Sequence, residues 1–187
     1  MQTIENSLLR LSVDENGASV NHLAYIPAEF DYLQDDHKQE NISIVFPSID
    51  KKNWALELPW TVVDKGDARV SLTLIDTPES YKEFPFHFEI MVTYVVEGNQ
   101  LTVSFHVKNN SSKDMPFSLG MVLPLMEGWQ ASKAVSLIKL LKDDHSITIE
   151  PAEFTAQIKD DQIDFSSNEM RLAGGADQAF ELTFTIA

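Results

Sequence analysis

Residues 88–107 alternate apolar and polar side chains twice in succession, on either side of one Gly-Asn pair. Phe88, Ile90, Val92, Tyr94 and Val96 fall on one face of an extended segment. Leu101, Val103, Phe105 and Val107 do the same in the next, with Thr102, Ser104, His106 and Lys108 opposite. A period of two is the signature of a strand with one buried face, and it does not fit the 3.6-residue turn of a helix. Gly98-Asn99 suits a tight hairpin, because both residues tolerate the positive φ that such turns require. The same alternation returns at Leu9-Leu11-Val13, at Val70-Leu72-Leu74 and at Phe180-Leu182-Phe184-Ile186.

Turn chemistry separates these runs. Asp64-Lys65-Gly66-Asp67 reads as a second hairpin turn, residues 109–114 as a polar loop, and Gly174-Gly175 as the lead into the last strand. Gly17 is expected to close the first strand pair, and the acidic segment 27–40 reads as loop. Helix is scarce. Residues 131–141 carry some helical spacing through Ala134, Leu137, Ile138 and Leu141, yet the same run fits a strand, and the pattern alone leaves both open. Many short strands with turns between them imply an antiparallel β-sandwich with little helix. At 187 residues, 43% of them apolar, the chain suits a single domain over residues 1–187 with a sizeable core.

Charge narrows the functional classes. Fourteen Lys and Arg against 29 Asp and Glu give a formal charge of −15. Phosphate backbones and anionic membrane surfaces need basic partners, so neither nucleic acid nor membrane is an expected partner. A small neutral ligand is compatible with this charge. Cysteine is absent, which excludes disulfides and thiolate metal sites. The five histidines show no ligand spacing, so no metal or other cofactor is expected. The opening MQTIENSLLRLS has neither a basic region nor a long apolar run, and a cytoplasmic protein is the expectation.

Several segments, taken in order, resemble the aldose 1-epimerase (galactose mutarotase-like) family. Residues 3–33, with Gly17 and the Tyr32-Leu33 pair, resemble the family's opening; NISIVFP at 41–47 resembles its P-x-L-F-P segment. Residues 69–74 and 84–109 are the closest stretch, and LAGGADQAFELTFTI at 172–186 resembles the final strand after an L-x-P-G turn. The resemblance implies a β-supersandwich of the mutarotase type, here truncated, since the interval from Gly120 to Glu150 is short.

It also implies a chemistry. Family members open the sugar ring with a glutamate as base on the anomeric hydroxyl and a histidine as acid on the ring oxygen, roles that need proton exchange near neutral pH. The family's H-G-F-x-R histidine has no counterpart between Phe46-Pro47 and Leu58-Pro59. After Pro116-Phe117-Ser118-Leu119-Gly120, Val122 stands where the second histidine is expected. Glu40 replaces a basic residue ahead of the Phe-Pro pair. Ile149-Glu150-Pro151 resembles the segment that carries the base, which makes Glu150 the candidate catalytic residue.

Trp54 and Trp129 are candidates for stacking on a sugar, with Asn53 as a hydrogen-bonding neighbour; core packing is the competing role for each tryptophan. Trp54 reads as the least core-like, because Lys51, Lys52 and Asn53 precede it. His87 and His106 read as surface histidines. The resemblance therefore implies a carbohydrate-binding relative in carbohydrate metabolism, its ligand an aldose or related sugar, with mutarotase activity weak or lost. An active isomerase using Glu150 as base is the alternative, and a non-catalytic interaction module is a third reading. Exposed sheet edges would favour a homo-oligomer.

Overall fold

The computed structural model describes residues 1–48 and 52–187. Four strands open the chain: β1 (Gln2–Glu5), β2 (Leu9–Asp14), β3 (Ser19–Tyr25) and the short β4 (Phe30–Asp31), antiparallel neighbours in that order. Gly17, at φ 78°, turns the chain between β2 and β3 rather than closing the first pair, which is joined through Asn6. Asn6 Oδ1 accepts from the backbone N–H groups of Leu8 and Leu9 and supplies that turn without glycine.

β5 (Ser43–Val45) leads to a single helical turn, α1 (Trp54–Glu57). β6 (Thr61–Lys65) and β7 (Arg69–Ile75) form the hairpin expected around Gly66. α2 (Pro78–Glu83) starts on a capping box in which Thr77 and Ser80 exchange side-chain-to-backbone bonds, with Pro at the first helical position. β8 (Phe88–Glu97) and β9 (Gln100–Asn109) are the long central hairpin, Gly98 lying at φ 58° in its turn.

The remainder is β10 (Met115–Phe117), β11 (Gly120–Pro124), β12 (Gln130–Ala134), β13 (Leu137–Lys142), β14 (His145–Glu150), β15 (Thr155–Ile158), β16 (Gln162–Ser166), β17 (Met170–Leu172) and β18 (Asp177–Ile186). The stretch that pattern left open, 131–141, is the β12–β13 hairpin. Ile138 and Leu140 are buried while Lys139 and Leu141 are exposed, so burial follows a period of two. Between Gly120 and Glu150 the chain is thus filled by β11 to β14.

Among the described residues the strands make an eight-stranded antiparallel sheet in the order β12-β13-β14-β18-β9-β8-β7-β6 and a four-stranded sheet β15-β16-β11-β5. The β1–β4 sheet and a β10–β17 pair complete them. No helix among the described residues is long and apolar enough to cross a membrane. The architecture is the all-β antiparallel sandwich expected from the alternation.

The apolar faces meet in one core cluster. Phe88 of β8 packs on Phe46, which follows β5, at 5.0 Å between ring centroids, and Phe46 in turn meets Phe117 at 5.6 Å. Each fully buried side chain of this size contributes about 1.5–3 kcal/mol. Two buried phenols tie the layers together: Tyr94 donates to Ala18 O at 2.6 Å and Tyr32 to Pro124 O at 2.6 Å. Burial pushes both phenols above the usual tyrosine range, so both hydroxyls stay protonated donors.

Candidate functional site

The four-stranded sheet turns one face to the core and one outward. Ile44, Met121, Ile163 and Phe165 are buried; Ser43, Val122, Gln162 and Asp164 alternate with them and are partly exposed. Register aligns Ser43, Val122, Asp164 and Gln157 in one row across the four strands. Asp164 is preorganised: its Oδ2 lies 2.6 Å from Lys159 Nζ, and its Oδ1 accepts from Gln162 Nε2 at 2.6 Å. The adjoining row is Val45, Gly120, Ser166 and Thr155. A Cβ on Gly120 would stand 2.8 Å from Phe165 O, so only glycine fits where β11 approaches β16.

At the Gly120 end this face runs into a cleft of about 500 Å³. One wall is the Glu83–Phe86 connector between α2 and β8; the others are Pro47-Ser48, Pro116–Ser118 and the Ser166–Glu169 stretch that leads into β17. Phe84 and Phe86 pack against each other with ring centroids 4.9 Å apart and planes tilted by 51°, and are half-buried, giving an apolar wall. Polar groups sit opposite. Ser118 donates its N–H to Pro47 O at 2.8 Å, and Asn168, at φ 60°, bonds through Nδ2 to Thr155 Oγ1 at 3.1 Å. Ser166 Oγ accepts from Asn168 N at 3.0 Å. An apolar wall with a few hydroxyls and an amide, at this volume, suits a small polar ligand with an apolar face.

The residues singled out from the sequence lie elsewhere, and they are not gathered into one hollow. Asn53 is a strap for the chain. Its Oδ1 accepts from Phe46 N at 3.0 Å and Ala55 N at 3.1 Å, and its Nδ2 donates to Ile44 O at 3.0 Å. Asn53→Ala removes all three bonds and the cap of α1, and is expected to cost about 2–3 kcal/mol in urea unfolding. A loss below 0.5 kcal/mol would contradict this role.

Trp54, read as the least core-like tryptophan, is 3% exposed. Lys52 Nζ stands 4.6 Å over its ring; Lys51 lies outside the described residues. Lys52 therefore covers the indole and is not a sign of exposure. Trp129 is 8% exposed, set edge-on to Tyr32 at 5.0 Å, and lines a separate hollow of about 400 Å³ with Phe30 and His145. Glu150 ends β14 opposite Thr183, exposed and outside the cleft.

None of the five histidines lines the cleft. His22 pairs with Asp31 at 2.6 Å, His87 with Asp76 at 2.8 Å and His106 with Asp177 at 3.0 Å. His145 packs on Phe30 at 4.1 Å, and His37 lies in an exposed turn held by Asp35. Sequence reasoning missed Ser166 and Asn168, which carry no pattern of their own. Ser118 was within reach, because it belongs to the segment 116–120 that carries the resemblance.

The class is set by the fold: a galactose mutarotase-like β-sandwich. The structure superimposes on a galactose mutarotase-like protein from Lactobacillus casei with a TM-score of 0.81, at 20% identity, covering 100% of both chains. A galactose mutarotase related enzyme from Lactobacillus acidophilus gives 0.78 at 13% identity, over 99% of this chain and 96% of that one. A galactose mutarotase-like protein from Clostridium acetobutylicum gives 0.77 at 12%, over 99% and 94%. Within the sequence, residues 51–121 match the family model of aldose 1-epimerase. No curated protein matches the chain.

Proposed function

We propose that this chain is a member of the aldose 1-epimerase family that binds a small sugar at the outward face and cleft described above, with mutarotase activity weak or lost. The observation that carries this reading is Val122. It occupies the middle of the outward row, between Ser43 and Asp164, at the position where the resemblance expects the acid for the ring oxygen. A valine moves no proton, and its neighbour Asp164 is held by Lys159 at 2.6 Å. The row and cleft still offer hydroxyls, a carboxylate and an apolar wall, which are the groups a sugar needs for binding alone.

Two measurements on the full chain test the two halves of the reading. Polarimetry of freshly dissolved α-D-glucose or α-D-galactose is expected to show no acceleration over buffer at micromolar protein. Titration with the same sugars to millimolar concentration is expected to shift the backbone amide signals of Ser118, Ser166 and Asn168. Clear acceleration would overturn the inactive half and favour the isomerase that uses Glu150 as base. Silence in the titration would overturn the sugar-binding half.

A further inference from the structure

We infer that the hollow between Phe30, Trp129 and His145 is a second binding site, for a neutral sugar ring, separate from the cleft and independent of the reading given to it. The two share no lining residue. Three connections meet at the hollow: residues 29–36 around β4, the 126–129 turn ahead of β12, and the turn between β13 and β14. Trp129 N donates to Met126 O at 3.1 Å and Lys142 Nζ to Glu127 O at 3.3 Å, which fixes the second of these against the third. Ring centroids lie 4.1 Å apart for Phe30 and His145 and 6.1 Å apart for Phe30 and Trp129. Three rings from distant segments thus line one hollow.

The indole N–H of Trp129 points to a ligand. Trp129 is only 8% exposed, yet its Nε1 finds no acceptor among the described residues. Trp60, by contrast, donates to Ala55 O at 2.8 Å, and the Tyr32 hydroxyl beside Trp129 is already bound to Pro124 O. Nor is the Trp129 donor sealed in the core: among the described residues, the buried side-chain polar atom without a partner is Asp35 Oδ2. Trp129 thus keeps its donor open to the hollow it lines. Asp35 lines the same hollow, its Oδ1 accepting from His37 N at 2.7 Å and Lys38 N at 2.9 Å. The lining therefore lacks an acceptor for Trp129 and a donor for Asp35 Oδ2. Hydroxyl groups supply both. The rings suit the C–H face of a pyranose. An organic cation brings no acceptor for the indole, and Glu127 and Asp143 on the rim repel a phosphate ester.

The test titrates the full chain with glucose, methyl α-D-glucopyranoside, choline and glucose 6-phosphate, followed by NMR. The indole N–H signal of Trp129 reports the hollow, and the amide signals of Ser118 and Asn168 report the cleft. Both neutral sugars are expected to shift the Trp129 signal saturably at millimolar concentration, and choline and the phosphate ester to leave it in place. Trp129→Phe keeps a ring and loses the donor; it is expected to weaken binding about fivefold, read from the His145 ring signals. His145→Ala leaves Trp129 in place and is expected to weaken binding about threefold, read from the Trp129 indole. An unmoved Trp129 signal with both neutral sugars, an equal shift with choline or the phosphate ester, or parental affinity in both variants would overturn the inference. With glucose, movement of Trp129 while Ser118 and Asn168 stay still would support it and count against the cleft reading. Movement of Ser118 and Asn168 alone would overturn it and leave the cleft reading standing.

Discussion

Tyr94→Ala is expected to destabilise the protein by about 3–5 kcal/mol, the range for removing a fully buried aromatic ring. Tyr94 sits in the middle of β8 with no exposed surface, in the layer that also holds Phe88 and Val92. Truncation leaves a ring-sized void that the long β8–β9 hairpin cannot collapse into, since both neighbouring strands are held along their lengths. It also strips Ala18 O, in the turn between β2 and β3 where Ala18 is buried, of the hydroxyl that donates to it. Tyr94→Phe separates the two contributions, because it keeps the ring and loses only the bond, and about 1–2 kcal/mol is expected. Equilibrium urea unfolding followed by tryptophan fluorescence checks both variants. An alanine variant within 1 kcal/mol of the parent would show that the phenol does not tie the β1–β4 sheet to the eight-stranded sheet.

Asn109→Ala is expected to cost about 3 kcal/mol, although it removes few atoms. Asn109 ends β9 and has no exposed surface. Its Nδ2 donates to Lys113 O at 2.7 Å and to Leu172 O at 2.9 Å, while its Oδ1 accepts from Ser111 N at 2.9 Å. One side chain thus folds the 109–114 loop and anchors the strand pair β10–β17, of which β10 walls the cleft. Each bond is worth about 0.5–1.5 kcal/mol, and the carbonyl of Leu172 is left buried without its donor. Asn109→Asp keeps the acceptor and loses the donors, so it is expected to fall near the alanine variant. Urea unfolding gives the cost, and the amide signals of Ser118 and Asn168 report whether the cleft wall moves. An alanine variant with parental stability and unmoved cleft signals would refute the anchoring role.

The central hairpin was legible because its information is local. Ten residues of alternation on each side of Gly98-Asn99 leave only one register that buries both apolar faces. The hairpin around Gly66 and the final strand after Gly174-Gly175 were legible on the same grounds. Residues 131–141 were not, since their apolar spacing satisfies both periods. The contest is decided by Ile138 and Leu140 finding the neighbouring strand β14 and the core beneath it. The exposure of Trp54 was misread for a related reason. Local polarity described its neighbours in sequence, while Phe46 and Ile44, held by Asn53, decide where the segment docks.

By itself the sequence settled the strand-rich class, the hairpins with their turn residues, the absence of thiol chemistry and the excess of negative charge. Each of these depends on the identity of a residue or on its near neighbours. The outward row Ser43–Val122–Asp164–Gln157 and the cleft at its end were decided only in three dimensions. They join segments more than a hundred residues apart, through strand order and register that no local pattern encodes. The cause is the cross-chain pairing of β5, β11 and β16, which is stabilised by burial of their inner faces and carries the outer residues into line as a consequence.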